Sequence, residues 1–427
     1  MIPPLRLGLA GLGTVGMGVV TIIQQSSDLI AARAGRPVEL VAISARSRRD
    51  RGVDISAYAW EDDPVALARR DDIDVFVEVM GGSDGPAKAA TEAALATGKD
   101  VVTANKALLA LHGQPLALAA EAAGRSLRFE AAVAGGIPVI KALTEGLAGN
   151  RIRRVMGVMN GTCNYILTRM ESAGLPYETV FEEARALGYL EADPTLDVGG
   201  IDAGHKLSLL SAIAFGTEVD FDAVELEGIG AISIDDIRHA GQLGYRIKLL
   251  GVAQMTGRGL EQRMTPCLVP AESPLGQLQG GTNMVVLEGD HVGQIVLRGA
   301  GAGAGPTASA VMGDIIDLAR GTRFPVFGQP AASLTRAPAA KAAVAAPYYL
   351  RLTLVDRPGA LAKVATLLGE AGISIDRMRQ YGHADATAPV VIVTHKTTRD
   401  AVDHAIGQFG ATGVVEGDPV IIRIESV

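Results

Sequence analysis

The sequence predicts an α/β protein in three parts: a parallel-sheet domain, an α+β second domain and a small C-terminal domain of βαββαβ pattern. Three observations carry this. Over residues 5–150 short apolar runs alternate with Ala-rich helical patterns, the signature of βαβ units on a parallel sheet. From Arg151 the pattern becomes a strand, then helices, then several alternating strands in succession. After a Pro- and Ala-rich stretch at 335–347, residues 348–427 read strand, helix, strand, strand, helix, strand.

In chain order, Leu5–Ala10, Val38–Ser44, Asp74–Met80, Asp100–Thr103 and Leu127–Val133 are expected strands, with Pro86–Thr97 and Ala107–Ala123 among the helices between them. Strand Arg151–Met159 leads into helices Cys163–Ser172, Tyr177–Leu187 and Ile201–Phe215. Strands follow at Ile247–Gln254, Thr265–Pro270, Met284–Leu287 and Gly293–Leu297, and a helix near Ser309–Arg320 is expected to return to the first domain. Strand Tyr348–Val355, helix Gly359–Ala371, strands Ile373–Gln380 and Val390–Thr394, helix Arg399–Phe409 and strand Val420–Ile424 make a ferredoxin-like unit. The expected division is 1–135 nucleotide-binding, 136–302 substrate and dimerisation, 303–334 returning helix, 335–347 linker and 348–427 C-terminal domain.

Composition narrows the function. A chain of 427 residues is too long for one core, and 48% hydrophobic residues can bury several. A net charge of −8 and the absence of a basic tract longer than Arg46-Ser47-Arg48-Arg49 exclude a nucleic-acid binder. Two distant cysteines, Cys163 and Cys267, fit a reducing compartment and make no metal-ligand spacing. Leu5–Ile23 is apolar, but five glycines interrupt it and it lacks the flanks of a signal or membrane segment. A cytoplasmic protein without membrane attachment is expected.

Gly11-Leu12-Gly13-Thr14-Val15-Gly16 follows the first strand and opens the first helix. Gly11 suits a tight turn, Gly13 a close approach to a pyrophosphate and Gly16 close helix–strand packing, which makes the first domain Rossmann-type. The second strand ends in Ser44-Ala45-Arg46, with no acidic residue for ribose hydroxyls. Arg46 either faces a 2′-phosphate or stands on a solvated loop, and both readings stay open; NADP is favoured, with NAD possible.

Asp202 and Lys206 stand four apart on an expected helix, where an ordinary surface ion pair would have small worth. The helical wheel instead puts Lys206 at about 40° from Asp202, among Leu209, Leu210 and Ile213. An inward-facing charged pair beside Glu191 and Asp197 describes a polar pocket. Thr103-Ala104-Asn105-Lys106 follows the fourth strand, where ligands bind in open α/β sheets, so Lys106 can overhang a nicotinamide. Oxidising an alcohol by hydride transfer requires removal of the hydroxyl proton, a task a desolvated lysine can assist.

The motifs GLGTVG, TANKALLA, EAAVAGGIPVI, NGTCNYIL, GYLEADPTLDVGGIDAGHK and GAGAGPTASAV stand in an order and spacing that resemble homoserine dehydrogenases over residues 5–325. The resemblance implies reversible NAD(P)-dependent hydride transfer between L-homoserine and L-aspartate 4-semialdehyde. It implies that Lys106 and Lys206 are the acid/base pair, and that Thr162, Glu191, Asp197 and Asp202 bind or orient the amino acid, with Glu191 facing its ammonium. Cofactor contacts are then expected from Gly11, Gly13, Thr14, Val15, Gly16, Arg46, Thr103, Lys106 and Gly303. A monovalent cation such as sodium, held by backbone carbonyls, would fall at Glu130, Val133, Gly135 and Ile137. One departure is the run Gly299 to Gly305, which alternates Gly and Ala where the family often reads GPGAG. Cys163 reads as packing, since hydride transfer needs no nucleophile, and His205 lies at the edge of the apolar stripe.

Asp356-Arg357-Pro358-Gly359-Ala360-Leu361 resembles the ligand loop of ACT domains, with Asp356, Gly359, Ala360 and Leu361 as effector contacts and threonine as the natural candidate. The alternative is a dimerisation module without a ligand. ACT domains pair side by side, so a homodimer or homotetramer is expected, and removal of 340–427 is expected to leave activity intact. Competing functions are another Rossmann amino-acid reductase and a non-catalytic amino-acid sensor. A phosphorylating semialdehyde dehydrogenase would need a cysteine–histidine pair that Cys163 lacks.

Overall fold

The computed structural model describes residues 2–48, 52–190, 193–382 and 386–427. Strands β1 (Leu5–Ala10), β2 (Val38–Ser44), β3 (Ala59–Glu61), β4 (Val75–Glu78), β5 (Asp100–Thr103) and β6 (Leu127–Arg128) form a parallel sheet in the order β3-β2-β1-β4-β5-β6. The chain runs outward from β1 in one direction and from β4 in the other, so a crevice opens beyond the carboxyl ends of those two central strands. The short strand Ala59–Glu61 and helices Ser27–Ala34 and Pro64–Arg69 carry weak periodicity and were not expected from sequence.

The fifth expected strand is cut short. After Arg128 the chain turns into a 3₁₀ segment, Glu130–Ala132, instead of continuing to Val133. The Glu130 carboxylate accepts from the amides of Ile140 (2.9 Å) and Lys141 (2.8 Å), and the Glu130 amide donates to Asp314 (2.9 Å). These long-range bonds pull the backbone out of the sheet. Helix Ala304–Ala319 does return to the first domain, where Val311, Met312 and Ile315 share a core with Leu7, Leu9, Val19 and Val20.

Strands β7 (Ile152–Val158), β8 (Glu225–Leu226), β9 (Tyr245–Thr256), β10 (Gly259–Pro270), β11 (Thr282–Gly289) and β12 (Gly293–Ala300) belong to the second domain. Strands β13 (Tyr348–Val355), β14 (Ile375–Gln380), β15 (Thr387–Thr394) and β16 (Val415–Ile424) belong to the third. They share one mixed sheet, ordered β12-β11-β7-β9-β10-β16-β13-β15-β14, with β8 paired to β10. Helix Ile201–Phe215 lies across this sheet and buries Leu207, Leu209, Leu210 and Ala212 completely. Among the described residues no single helix is long and apolar enough to cross a membrane.

The third domain is not tethered loosely. β16 pairs in parallel with β10 at Cys267–Arg423 and Leu268–Ile424. Its end carries Glu425 into the second domain, where buried Arg263 and Arg423 both donate to the carboxylate. Residues 335–347 are pinned as well: the Leu260 amide donates to the Pro338 carbonyl and the Glu218 amide to the Thr335 carbonyl. A second junction forms where Asp236, fully buried on helix Ile234–Gln242, accepts from Arg351 (2.6 and 3.1 Å) and from the Tyr349 hydroxyl (3.0 Å).

Candidate active site

The nucleotide end is built from the turn after β1. Gly11 has φ 103°, a conformation that glycine adopts at no steric cost, and a Cβ there would meet the Val79 carbonyl oxygen at 2.6 Å. A Cβ on Gly16 would lie 1.9 Å from the Gly11 carbonyl oxygen, so helix Thr14–Gln25 can press on the turn only because residue 16 is glycine. Nothing lies within 4 Å of a Cβ on Gly13, which is exposed; the backbone there is open to a diphosphate. The residues present therefore fit a dinucleotide. Arg46 is exposed beyond β2, and neighbouring Arg48 lies over the Trp60 ring at 4.9 Å.

Thr103 ends β5 with its side chain turned inward. It is fully buried; its hydroxyl donates to Glu78 (2.6 Å) and accepts from the Asn105 amide (2.9 Å), while Ala104, Asn105 and Lys106 face the cavities. The Glu78 carboxylate, at the end of β4, also accepts from the amides of Met80 and Gly81. Burial pushes the Glu78 carboxyl up from its ordinary range, against the hydrogen bonds that favour its charge. Thr103 thus shapes the loop that presents Lys106.

A cavity of about 530 Å³ brings part of the expected constellation together, its lining including Thr14, Val15, Lys106, Thr162, Asp197, Lys206 and Gly303. A second cavity of about 510 Å³ adjoins it and shares Val15, Ala104, Lys106 and Asp202. Asp202 accepts from Lys106 at 2.8 Å and from Lys206 at 2.8 Å, one lysine from each domain. Lys206 is buried, as the helical wheel predicts, and also donates to the Met159 carbonyl at 2.8 Å. Burial alone would raise the Asp202 carboxyl; the charges of Lys206 and Lys106, with their hydrogen bonds, outweigh it and hold the group well below the usual carboxylate range.

Asn160 caps helix Gly161–Ala173 by accepting from the Cys163 amide (2.8 Å) and donates to Asp197 (3.3 Å). The Thr162 hydroxyl donates to the Tyr189 carbonyl (2.9 Å), and Tyr189 stacks on Tyr165. Burial, then the nearby Asp197 charge, pushes the Cys163 thiol far up and disfavours the thiolate, in keeping with a packing role. Burial lowers His205, whose ring lies 4.2 Å from that of Phe221. Glu191 lies outside the described residues. Asn160, Tyr189 and Asn283 also line the cavity and were not singled out from the sequence as ligands. The cap at Asn160 leaves a readable signal; Asn283 leaves none, because only the pairing of β11 with β12 brings it there.

The expected cation loop packs against the Gly299–Gly305 run: the Gly136 amide donates to the Ala300 carbonyl at 3.0 Å, and a Cβ on Gly135 would meet Gly301 at 2.5 Å. Ala134 (φ 56°) and Gly135 (φ 55°) are successive left-handed residues, a conformation unfavourable for alanine by about 1 kcal/mol. With the Glu130 side chain committed to amides, the loop offers main-chain oxygens, the donor type a hard monovalent ion takes. Among the described residues no group of three His, Cys, Asp or Glu side chains gathers as a metal site. Burial and the Asp314 charge push the Glu130 carboxyl up to about 7; Lys141 bridges Asp314 and Asp317 beside it. In the third domain Asp356 and Gly359 are exposed, with Gly359 capping helix Ala360–Glu370 and Ala360 buried behind it.

Three family models match in succession: "Homoserine dehydrogenase, NAD binding domain" over residues 11–130, "Homoserine dehydrogenase" over 138–316 and "ACT domain" over 348–412. The chain is 44% identical to a homoserine dehydrogenase of Neisseria gonorrhoeae and 43% identical to one of Pseudomonas aeruginosa, each alignment covering 99% of both chains. Among solved structures, a homoserine dehydrogenase from Thiobacillus denitrificans superposes with a TM-score of 0.94 at 41% identity, covering 99% of this chain and 98% of that one. A hyperthermophilic archaeal homoserine dehydrogenase mutant in complex with NADPH superposes with a TM-score of 0.64 at 27% identity, covering 75% of this chain and 99% of that one.

Proposed function

The chain belongs to the homoserine dehydrogenase family of NAD(P)-dependent oxidoreductases, and on that premise we propose that Lys106 and Lys206 are its acid/base pair, set by Asp202. The observation that carries this reading is the carboxylate shared between two lysines from different domains over one cavity. Thr162 and Asp197 orient the amino-acid end of the substrate; the ammonium role is assigned to Glu191, which lies outside the described residues. A nicotinamide cofactor held there would supply the hydride chemistry at the substrate carbon. In the reductive direction a lysine ammonium hydrogen-bonds the aldehyde oxygen and gives it a proton; in the oxidative direction the neutral amine takes the hydroxyl proton back. Asp202 offsets one of the two lysine charges and holds one Nζ at each of its carboxylate oxygens.

Gly11, Gly13, Thr14, Val15, Gly16 and Gly303 hold the dinucleotide, and Arg46 is assigned to a 2′-phosphate, a reading that favours NADP with NAD as the alternative. The Glu130, Val133, Gly135 and Ile137 carbonyls hold a sodium-like ion that stiffens the loop against Gly301. The ACT domain takes threonine at Asp356, Gly359, Ala360 and Leu361, in a cytoplasmic homodimer or homotetramer.

Absorbance at the NAD(P)H band tests the whole reading, with purified protein, L-homoserine and each oxidised cofactor, with and without L-threonine. Homoserine-dependent reduction, faster with NADP and slowed by threonine, is expected. No turnover with either cofactor would return the chain to the other amino-acid reductases, then to a sensor.

A further inference from the structure

Lys248 is a buried cation that the reaction does not use. It sits on β9 at 3% exposure, and its Nζ donates to the Asn164 side-chain oxygen at 3.0 Å and, through a short bond, to the Leu278 carbonyl. Among the described residues no carboxylate is paired with it: Glu171, whose charge it feels, is bonded to Arg246 at 2.6 Å. Burial pulls the ammonium down to about 8. Removing a lysine charge from water costs several kcal/mol, so apolar packing would serve a core better than this arrangement does.

The partners of Lys248 lead to the cavity. The amide nitrogen of Asn164 donates to the Gly280 carbonyl at 2.7 Å. Gly281 and Asn283 follow, and both line the substrate end beside Gly161, Thr162 and Tyr189. The fit is close, since a Cβ on Gly161 would stand 2.5 Å from the Gly281 carbonyl oxygen. The segment ends on Asn283, 1% exposed, whose side-chain oxygen has no hydrogen-bond partner among the described residues and whose amide group packs on Gly301 of the glycine run. One ammonium therefore grips both the helix that begins at Gly161 and the loop that faces it.

We propose that Lys248 is a positioning residue for the amino-acid substrate: through Asn164 and the Leu278 carbonyl it sets the Gly280–Asn283 wall against the N-terminus of helix Gly161–Ala173. A charged donor suits this task because hydrogen bonds from an ammonium are about twice as strong as neutral ones, and one Nζ can serve two segments. The proposal rests on the reading of this cavity end as the homoserine site.

The test is steady-state kinetics of the full chain with Lys248→Met, which keeps length and removes the donors, and with Asn164→Asp, which keeps a partner for Lys248 and removes the donor to Gly280. Both should raise KM for L-homoserine by about tenfold or more while KM for the nucleotide stays within about twofold, the pattern of a lost substrate contact. Unchanged homoserine KM in both folded variants would overturn the proposal. Equal losses for homoserine and nucleotide would reduce Lys248 to a support of the fold. If Lys248→Met does not fold, Asn164→Asp decides alone. Lys206→Ala, measured in parallel, separates the two levels: normal turnover there sinks the site reading itself, whatever the Lys248 variants do.

Discussion

Asp202 and Lys106 lie 2.8 Å apart although they are almost a hundred residues apart in sequence and belong to different domains. The contact ties the start of helix Lys106–Ala122 to the start of helix Ile201–Phe215, and both residues line the two adjoining cavities. Lys206 reaches the same carboxylate one helical turn on.

Lys206→Ala should lower kcat by about 10²–10⁴, the range of general acid–base catalysis, while nucleotide binding by fluorescence titration is unchanged. Near-normal turnover in a folded variant would remove Lys206 from the chemistry.

Arg46→Ala should raise KM for NADP by about tenfold and leave KM for NAD alone, the consequence of losing one charge-assisted phosphate contact. Equal effects on the two cofactors would mean that Arg46 only decorates a solvated loop.

Asp236→Asn should destabilise the protein by about 3 kcal/mol, since half-buried Arg351 would lose the counter-charge that fully buried Asp236 supplies. Burial would raise the Asp236 carboxyl, but the bonds from Arg351 and Ser233 hold it below its ordinary value. Its contribution is therefore complete above the ordinary carboxylate range and fades as pH falls through the lowered folded value. The gap between thermal melts of wild type and variant should begin to close below about pH 4 and vanish only below the lowered folded value; a constant gap would deny the ionised pair its part.

Removal of the ACT domain should not be clean. Truncation after residue 347 leaves the β10 edge open at Cys267 and Leu268 and strands buried Arg263 without Glu425. The truncated chain should melt at least about 5 °C lower or aggregate. Asp356→Ala is the better probe: threonine sensitivity should vanish at unchanged kcat, and a retained response would place the effector elsewhere.

Much of the site was legible in the sequence because its signals are local. The glycine spacing of 11–16 states its own sterics, and the wheel of helix Ile201–Phe215 places Lys206 inward from its leucines alone. Strand alternation drew the three parts with few errors. What resisted were features set by distant partners. Glu130 left the sheet because Asp314, Ile140 and Lys141 bond to it. The Thr103 hydroxyl turned inward because Glu78 accepts its hydrogen bond. The apparent linker and the C-terminal domain are held by β10, Arg263 and Asp236, none of which carries a mark in its own neighbourhood. Periodicity and turn chemistry are encoded within a few residues and can be read along the chain. Which charge is buried against which, and which loop closes on which helix, depends on groups that meet only after folding, where burial makes a missing partner costly. The sequence by itself determined the parts and the chemistry they carry; the tertiary structure alone decided how Lys106, Asp202 and Lys206 share one cavity and how Lys248 braces its wall.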